Sequence, residues 1–275
     1  MNKIPISLIV FTILSGLSAG TYIFINLIAL LLPQGGLITI EKPLTIACLI
    51  VMCIGLLASA THLGKPLRMP NALANVKSMI AQEGYWGLIF VLVLFLASFQ
   101  VFSNNYPWLW LRVIGVAVAV GLLFVTSFVY VRAKGIPAWS NSSTIFSFLF
   151  SAALMGSVVC LAFLSSHPQF IALSNLTGTV TIVMILLQAV AAIATEVQIS
   201  TVPTGIDIPK LTGINMLRWI IGLLCPLFLT YLVMVGVMPT SLYIITLIIV
   251  IVGEILSRTV FFLRGVHLKS NSSLW

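Results

Sequence analysis

The sequence predicts an all-α integral membrane protein, a bundle of eight transmembrane helices. Of the 275 residues, 60% are apolar and only 7% are charged. The apolar residues form repeated uncharged runs of about 20 positions, the length that a membrane-spanning helix needs. Only helices and closed barrels satisfy their backbone polar groups in lipid, and the alternating strands of a barrel are absent from this sequence. We therefore expect residues 1–275 to form a single polytopic domain embedded in the lipid bilayer.

Breaks at proline, glycine, asparagine and charged clusters separate the eight spans. The first apolar run, which follows Lys3, is too long for the core of a signal peptide and is predicted to be a helix. The second span closes at His62, because Gly64 and Pro66 interrupt any continuing helix. The last two spans meet near Pro239, which favours a tight turn. The predicted spans are about 5–32, 44–62, 85–104, 109–131, 143–164, 176–199, 215–238 and 240–264.

The loop charges predict the orientation of the bundle. One side of the membrane holds Lys42 in a loop and Arg112 just inside a span, whereas the other side holds most of the basic residues. An excess of basic residues marks the cytoplasmic side, so both termini are predicted to lie in the cytoplasm of a bacterial cell. The formal charge of +8 is thus a topology signal and does not indicate nucleic-acid binding. The basic side carries Lys3, Lys65, Arg68, Lys77, Arg132, Lys134, Lys210, Arg264 and Lys269.

The cysteines and histidines argue against a redox cofactor held by this chain alone. All four cysteines lie in apolar stretches without the C-x-x-C spacing of zinc or iron–sulfur ligands, so they are predicted to be buried side chains. His62, His167 and His267 do not face one another from within the bilayer, which makes a bis-histidine haem improbable. We therefore expect no haem, no iron–sulfur cluster and no metal site in this chain.

The segment from His62 to Glu83 is the first candidate for chemistry. An isolated histidine at the end of a helix is commonly an interfacial or capping residue, which is the structural alternative. Histidine also titrates near neutral pH, so His62 could accept a proton from a hydroxyl group and Glu83 could pass that proton on. Arg68 could stabilise a developing oxyanion. Without any resemblance, these residues indicate a polar site for a lipophilic, proton-exchanging ligand.

The acidic residues within the later spans form the second candidate. Glu254 lies ten residues before Arg264, about 15 Å along a helix, and a charge at that depth needs a partner or a function. Arg258 follows four positions later on the same helix face. The pair is either a structural ion pair or the border of a polar cavity where protons move. Glu196 and Arg218, at neighbouring span ends on the same side, favour the cavity.

Together these motifs resemble the membrane anchor subunit family of anaerobic dimethyl sulfoxide reductase. The resemblance rests first on the run His62-Leu63-Gly64-x-Pro66-x-Arg68, followed by Asn71 and Glu83. Pro137-x-Trp139, Glu196 and Gly253-Glu254-x-x-x-Arg258 appear after it in the order typical of that family. With eight spans of similar spacing, the resemblance extends over nearly the whole sequence.

The resemblance implies a subunit that binds and oxidises menaquinol without reducing the terminal acceptor itself. Electrons would pass to an iron–sulfur electron-transfer subunit and then to a molybdopterin catalytic subunit during anaerobic respiration. By resemblance, His62 and Glu83 are expected in quinol binding and proton handling. Arg68, Glu254 and Arg258 match motif positions of the same site. Additional candidates are Asn71, Trp139, Glu196 and Arg218.

Two other functions fit the same sequence. In a secondary transporter, Glu254 and Arg258 would line a substrate or proton path, although internal repeats and broken helices at matching positions are not evident. In a purely structural tether, the buried ion pair would only stabilise the bundle, and the basic loops would hold soluble enzymes at the membrane.

Overall fold

The computed structural model describes residues 6–31, 37–62, 74–103, 108–202, 208 and 210–265. Within these ranges, eight helices are long and apolar enough to cross a membrane and no strand is present, which confirms the predicted fold class. The helices are α1 (Ile6–Leu30), α2 (Ile38–His62), α3 (Met79–Phe102), α4 (Leu109–Val131), α5 (Ser142–Ser165), α6 (Ile171–Ser200), α7 (Thr212–Met234) and α8 (Leu242–Leu263).

Helices α1 and α5 form the centre of the bundle. They are the two most buried spans and they pack against each other. Their backbones approach closely at two glycines, because a Cβ on Gly20 would overlap the carbonyl oxygen of Ala152 and a Cβ on Gly156 would overlap Gly20. Small residues at crossings allow this packing, which drives helix association in lipid. On one side α2, α3 and α4 surround the central pair, and on the other side α6, α7 and α8 do so.

Two helices begin six residues earlier than the sequence pattern predicts. Helix α2 starts at Ile38 and includes Pro43 in its second turn, where the proline removes one hydrogen bond of the helix. Helix α3 starts at Met79 and includes Glu83, which is buried within the bundle. In both cases the low hydropathy of a charged residue, Glu41 or Glu83, led to the prediction that the span begins after it. The helix includes that residue, which is buried in the bundle.

Helix α7 is irregular at its centre. An α-helical segment (Thr212–Trp219) leads into a π-helical turn (Ile220–Leu224), and a second α-helical segment (Cys225–Met234) completes the span. The π-helical turn contains Gly222, which packs against Gly253 of α8. Such turns interrupt the regular hydrogen-bond ladder and are frequent at functional sites. This irregularity adjoins the candidate site.

Candidate functional site

A cavity of about 30 Å³ lies among α5, α6, α7 and α8. It is at the end of the bundle where α6 and α8 finish, which is the side rich in basic loop residues. Its walls include Glu254, Arg258, Arg218, Arg264 and the amide side chain of Gln188. This volume admits one or two groups of the size of a water molecule or a hydroxyl. The cavity is therefore a small polar space within a helix bundle that is otherwise apolar.

Ser151 of α5 connects the two charged residues of α8. Its hydroxyl donates to Glu254 Oε2 at 2.6 Å and accepts a hydrogen bond from Arg258 Nη2 at 2.9 Å. The direct Nε to Oε2 distance between Arg258 and Glu254 is 3.9 Å, so the ion pair closes mainly through the serine. The guanidinium of Arg258 also lies 3.7 Å above the ring of Phe148, a cation–π contact.

A second group of charges surrounds Glu196 at the end of α6. Glu196 Oε1 accepts hydrogen bonds from Arg264 Nη1 at 2.7 Å, Arg218 Nη2 at 3.1 Å and Asn215 Nδ2 at 3.2 Å. Arg264 also donates to the carbonyl oxygen of Lys210 at 3.1 Å. Although Glu196 itself does not line the cavity, both of its arginine partners do. The two predicted pairs are thus neighbours, and three of their four residues line one cavity.

Two glycines set the distance between the helices that carry these charges. A Cβ on Gly253 would overlap the Cα of Gly222, so α7 and α8 touch backbone to backbone beside the cavity. Gly253 directly precedes Glu254, and Gly222 lies four positions after Arg218 in the π-helical turn. The close approach therefore fixes Glu254 and Arg218 against the same small space.

Trp139 forms an aromatic wall behind the cavity. Its indole Nε1 donates to the carbonyl oxygen of Phe261 at 2.8 Å, and its ring stacks on that of Phe261 at a centroid distance of 5.4 Å. Tyr130 packs edge-on against both rings. Phe261 lines the cavity, whereas Trp139 does not. Trp139, an additional candidate from the sequence, thus contacts the cavity only through Phe261.

Glu83 is buried on the same side of the membrane but does not line the cavity. Its Oε1 accepts no hydrogen bond from the described residues, although the Thr126 hydroxyl lies close to the carboxyl group. Tyr130 is within electrostatic range of both Glu83 and Arg258. Glu83 and the cavity are therefore separate polar positions.

The remaining predicted residues fall outside this description. Helix α2 ends at His62, but its side chain lies outside the described part of the structure. Arg68 and Asn71 likewise lie outside the described residues. The predicted grouping of His62 and Arg68 with Glu83 remains a sequence-based expectation. Among the described residues, no group of three or more His, Cys, Asp or Glu side chains could hold a metal ion.

The structure also contains a buried ion pair at the opposite end of the bundle. Both terminal nitrogens of Arg112 contact the carboxylate of Glu41, at 2.7 Å and 2.9 Å, and Arg112 Nη1 also donates to Asn26 at 3.1 Å. This contact joins α1, α2 and α4. The loop charges of the sequence placed Arg112 at this end of the bundle but assigned it no partner. The common position of Arg112 and Glu41 at span starts on the same membrane side was the available signal.

Three residues of the site were missed from the sequence. Ser151 carries no signal, because serines are frequent in membrane helices and its partners are more than 100 positions away. Arg264 was assigned to a basic loop, and only the folded protein places it on Glu196. Gln188 was available as a polar residue in the middle of a predicted span.

Comparisons with known proteins agree with this architecture. The family model described as "DMSO reductase anchor subunit (DmsC)" matches residues 1–263. The C subunit of the anaerobic dimethyl sulfoxide reductase of Escherichia coli strain K12 is 25% identical over 280 residues, 95% of this protein and 94% of that one. The C subunit of the Haemophilus influenzae enzyme of the same name is 28% identical over 170 residues, and the match spans only 59% of either protein. The protein belongs to the DMSO reductase anchor subunit (DmsC) family.

Proposed function

We propose that this protein is the menaquinol-oxidising anchor subunit of a molybdopterin oxidoreductase complex of the dimethyl sulfoxide reductase type. An iron–sulfur subunit would accept the electrons and deliver them to a molybdopterin catalytic subunit that reduces the terminal acceptor. The carrying observation is Glu254, a carboxylate buried within a membrane helix that lines a polar cavity. Membership of an anchor-subunit family favours this function over the transporter hypothesis.

Oxidation of menaquinol releases two protons and two electrons, so its site needs proton acceptors within the membrane. Glu254 is suited to accept the first proton, because it is buried and its nearest arginine nitrogen is 3.9 Å away, beyond the range of a direct hydrogen bond. Glu83 is buried, and its Oε1 has no hydrogen-bond partner among the described residues, so we assign the second proton to it. His62, which closes α2, remains a candidate for proton exchange with the aqueous side, and Arg68 remains a candidate for stabilising a developing oxyanion.

The size of the cavity limits how a quinol can use it. A volume of about 30 Å³ holds a hydroxyl group, whereas ligand pockets for whole ring systems measure hundreds of Å³. A quinol would therefore insert one hydroxyl end toward Glu254, and its ring would displace lining side chains. The basic loops support a cytoplasmic position for this end of the bundle in the bacterial cytoplasmic membrane.

Replacing Glu254 by glutamine tests the proposal. The Glu254→Gln variant keeps an oxygen for the Ser151 hydroxyl but cannot accept a proton, so menaquinol oxidation by the assembled complex should fall by about 100-fold or more. Reduction of the terminal acceptor with an artificial dye as electron donor should be unchanged, because the dye bypasses this subunit.

The matched control is Glu41→Gln, which alters another buried carboxylate paired with arginine, but at the opposite end of the bundle. Its rate per assembled complex should equal that of the wild type. Full menaquinol activity in Glu254→Gln would remove Glu254 from the mechanism. A His62→Ala variant with unchanged electron flux would remove His62 in the same way.

A further inference from the structure

The charges around the cavity do not balance. Three arginines and one glutamate line it, and Glu196 pairs with two of those arginines from outside. Three positive and two negative charges leave a net charge of +1 on these described residues. The arginine side chains Arg218, Arg258 and Arg264 are at least nine-tenths buried, with 9%, 4% and 5% exposure. A buried excess of positive charge favours an anionic ligand.

Each of these arginines also has an unused hydrogen-bond donor. The Nε atoms of Arg218, Arg258 and Arg264 are buried, and none donates a hydrogen bond to an acceptor among the described residues. Leaving a buried donor unpaired costs about 1–3 kcal/mol, and more when it is charged. The three arginines that carry these donors all line one small polar cavity, which makes the cavity a candidate site for an oxygen acceptor. Guanidinium groups match oxyanions particularly well.

We propose that this cavity binds an oxyanion, and that the oxyanion is the ionised hydroxyl of the quinol. This inference rests on the proposed function and specifies the form in which the substrate reacts. The O–H bond of menaquinol breaks, its proton moves to the Glu254 carboxylate, and the arginines bind the resulting quinolate oxygen. The quinolate then loses two electrons to the iron–sulfur partner and its second hydroxyl proton to a base outside the cavity, the role proposed above for Glu83, which gives menaquinone.

The charges are consistent with this sequence of steps. Protonation of Glu254 raises the charge of the surrounding groups from +1 to +2, and the quinolate returns the total to +1. The proton transfer therefore leaves no additional net charge within the membrane, where an isolated charge is costly. Glu196 does not compete for the proton, because it accepts hydrogen bonds from two arginines.

Two naphthoquinones of nearly equal shape test the inference. The hydroxyl of 2-hydroxy-1,4-naphthoquinone is ionised at neutral pH, whereas 2-methoxy-1,4-naphthoquinone is uncharged. Binding of both is measured to the full-length protein in nanodiscs of uncharged phosphatidylcholine. The wild type should prefer the anion. In Arg218→Gln this preference should fall about tenfold or more, since one charge-assisted contact is lost.

Two further variants complete the test, one expected to increase the preference for the anionic probe and one expected to leave it unchanged. Glu196→Gln raises the charge around the cavity to +2 and should increase the preference for the anionic probe, which keeps the test valid if Arg218→Gln fails to fold. Arg132→Gln is the matched control, because Arg132 lies at the same end of the bundle but is exposed, beside Phe128 and Met79 and away from the cavity. As an exposed residue outside the cavity, it should leave the preference unchanged.

Several results would overturn the inference. Equal affinity of the wild type for both probes would refute oxyanion binding and leave the proposed quinol site intact, whereas no binding of either probe would count against both. An equal loss of both probes in Arg218→Gln would mean that the arginine is only structural. If replacing phosphatidylcholine by phosphatidylglycerol abolishes the preference, the cavity binds a lipid phosphate instead of a quinolate.

Discussion

The Ser151 bridge offers the most direct test of how the site is held together. The Ser151→Ala variant removes two hydrogen bonds, one to Glu254 at 2.6 Å and one from Arg258 at 2.9 Å, without changing any charge. Hydrogen bonds to charged groups contribute about 1.5–3 kcal/mol each. Part of this loss is offset, because Arg258 and Glu254 can then approach each other directly. In addition, hydrogen bonds in membrane proteins stabilise the fold by less than this on average. We expect the free energy of unfolding to fall by about 2–3 kcal/mol.

Ser157 provides the matched control on the same helix. It is fully buried like Ser151, but its hydroxyl donates only to the carbonyl oxygen of Leu154 at 2.9 Å, within α5. Ser157→Ala should therefore cost about 0.5 kcal/mol, the average for hydrogen bonds in a membrane protein. Reversible unfolding of the purified protein in mixed micelles measures both values. A difference below about 0.5 kcal/mol between the variants would refute the assigned role of the bridge.

Two other substitutions probe how the helices are joined. Gly253→Ala should destabilise the protein by about 1–3 kcal/mol, because the added Cβ would overlap Gly222. Gly213→Ala is the control and should be neutral or slightly stabilising, because no atom lies near the added methyl group. Equal effects of the two substitutions in thermal unfolding would contradict the backbone contact. Glu41→Gln should lower the free energy of unfolding by about 3–5 kcal/mol by leaving Arg112 buried without its carboxylate, and a second change, Arg112→Met, should recover part of the loss. The absence of recovery in the double variant would argue that the two residues act independently.

The membrane fold was predictable because it depends on local composition. Eight apolar stretches separated by charged or helix-breaking residues define eight spans, since lipid imposes the same length on every helix. Helices α2 and α3 begin six residues before the predicted spans, because hydropathy treats Glu41 and Glu83 as loop residues. Both are inside helices, where the remaining bundle covers them.

The candidate site was predictable only in part. The four-residue spacing of Glu254 and Arg258 places them on one helix face, and the span ends place Glu196 near Arg218, so helical geometry alone brought out these pairs. Neither argument identifies Ser151, which joins Glu254 and Arg258 from a helix about 100 positions earlier.

The sequence by itself therefore determined that this protein is an eight-span membrane bundle with its charges concentrated at one end, because insertion into lipid responds to local hydrophobicity and charge. Only the tertiary structure decided which charges share a cavity, that Arg264 joins Glu196, and that Arg112 pairs with Glu41. Those choices depend on where helices distant in sequence touch. Close approaches such as that of Gly222 and Gly253 fix those contacts through steric fit, which no local pattern encodes.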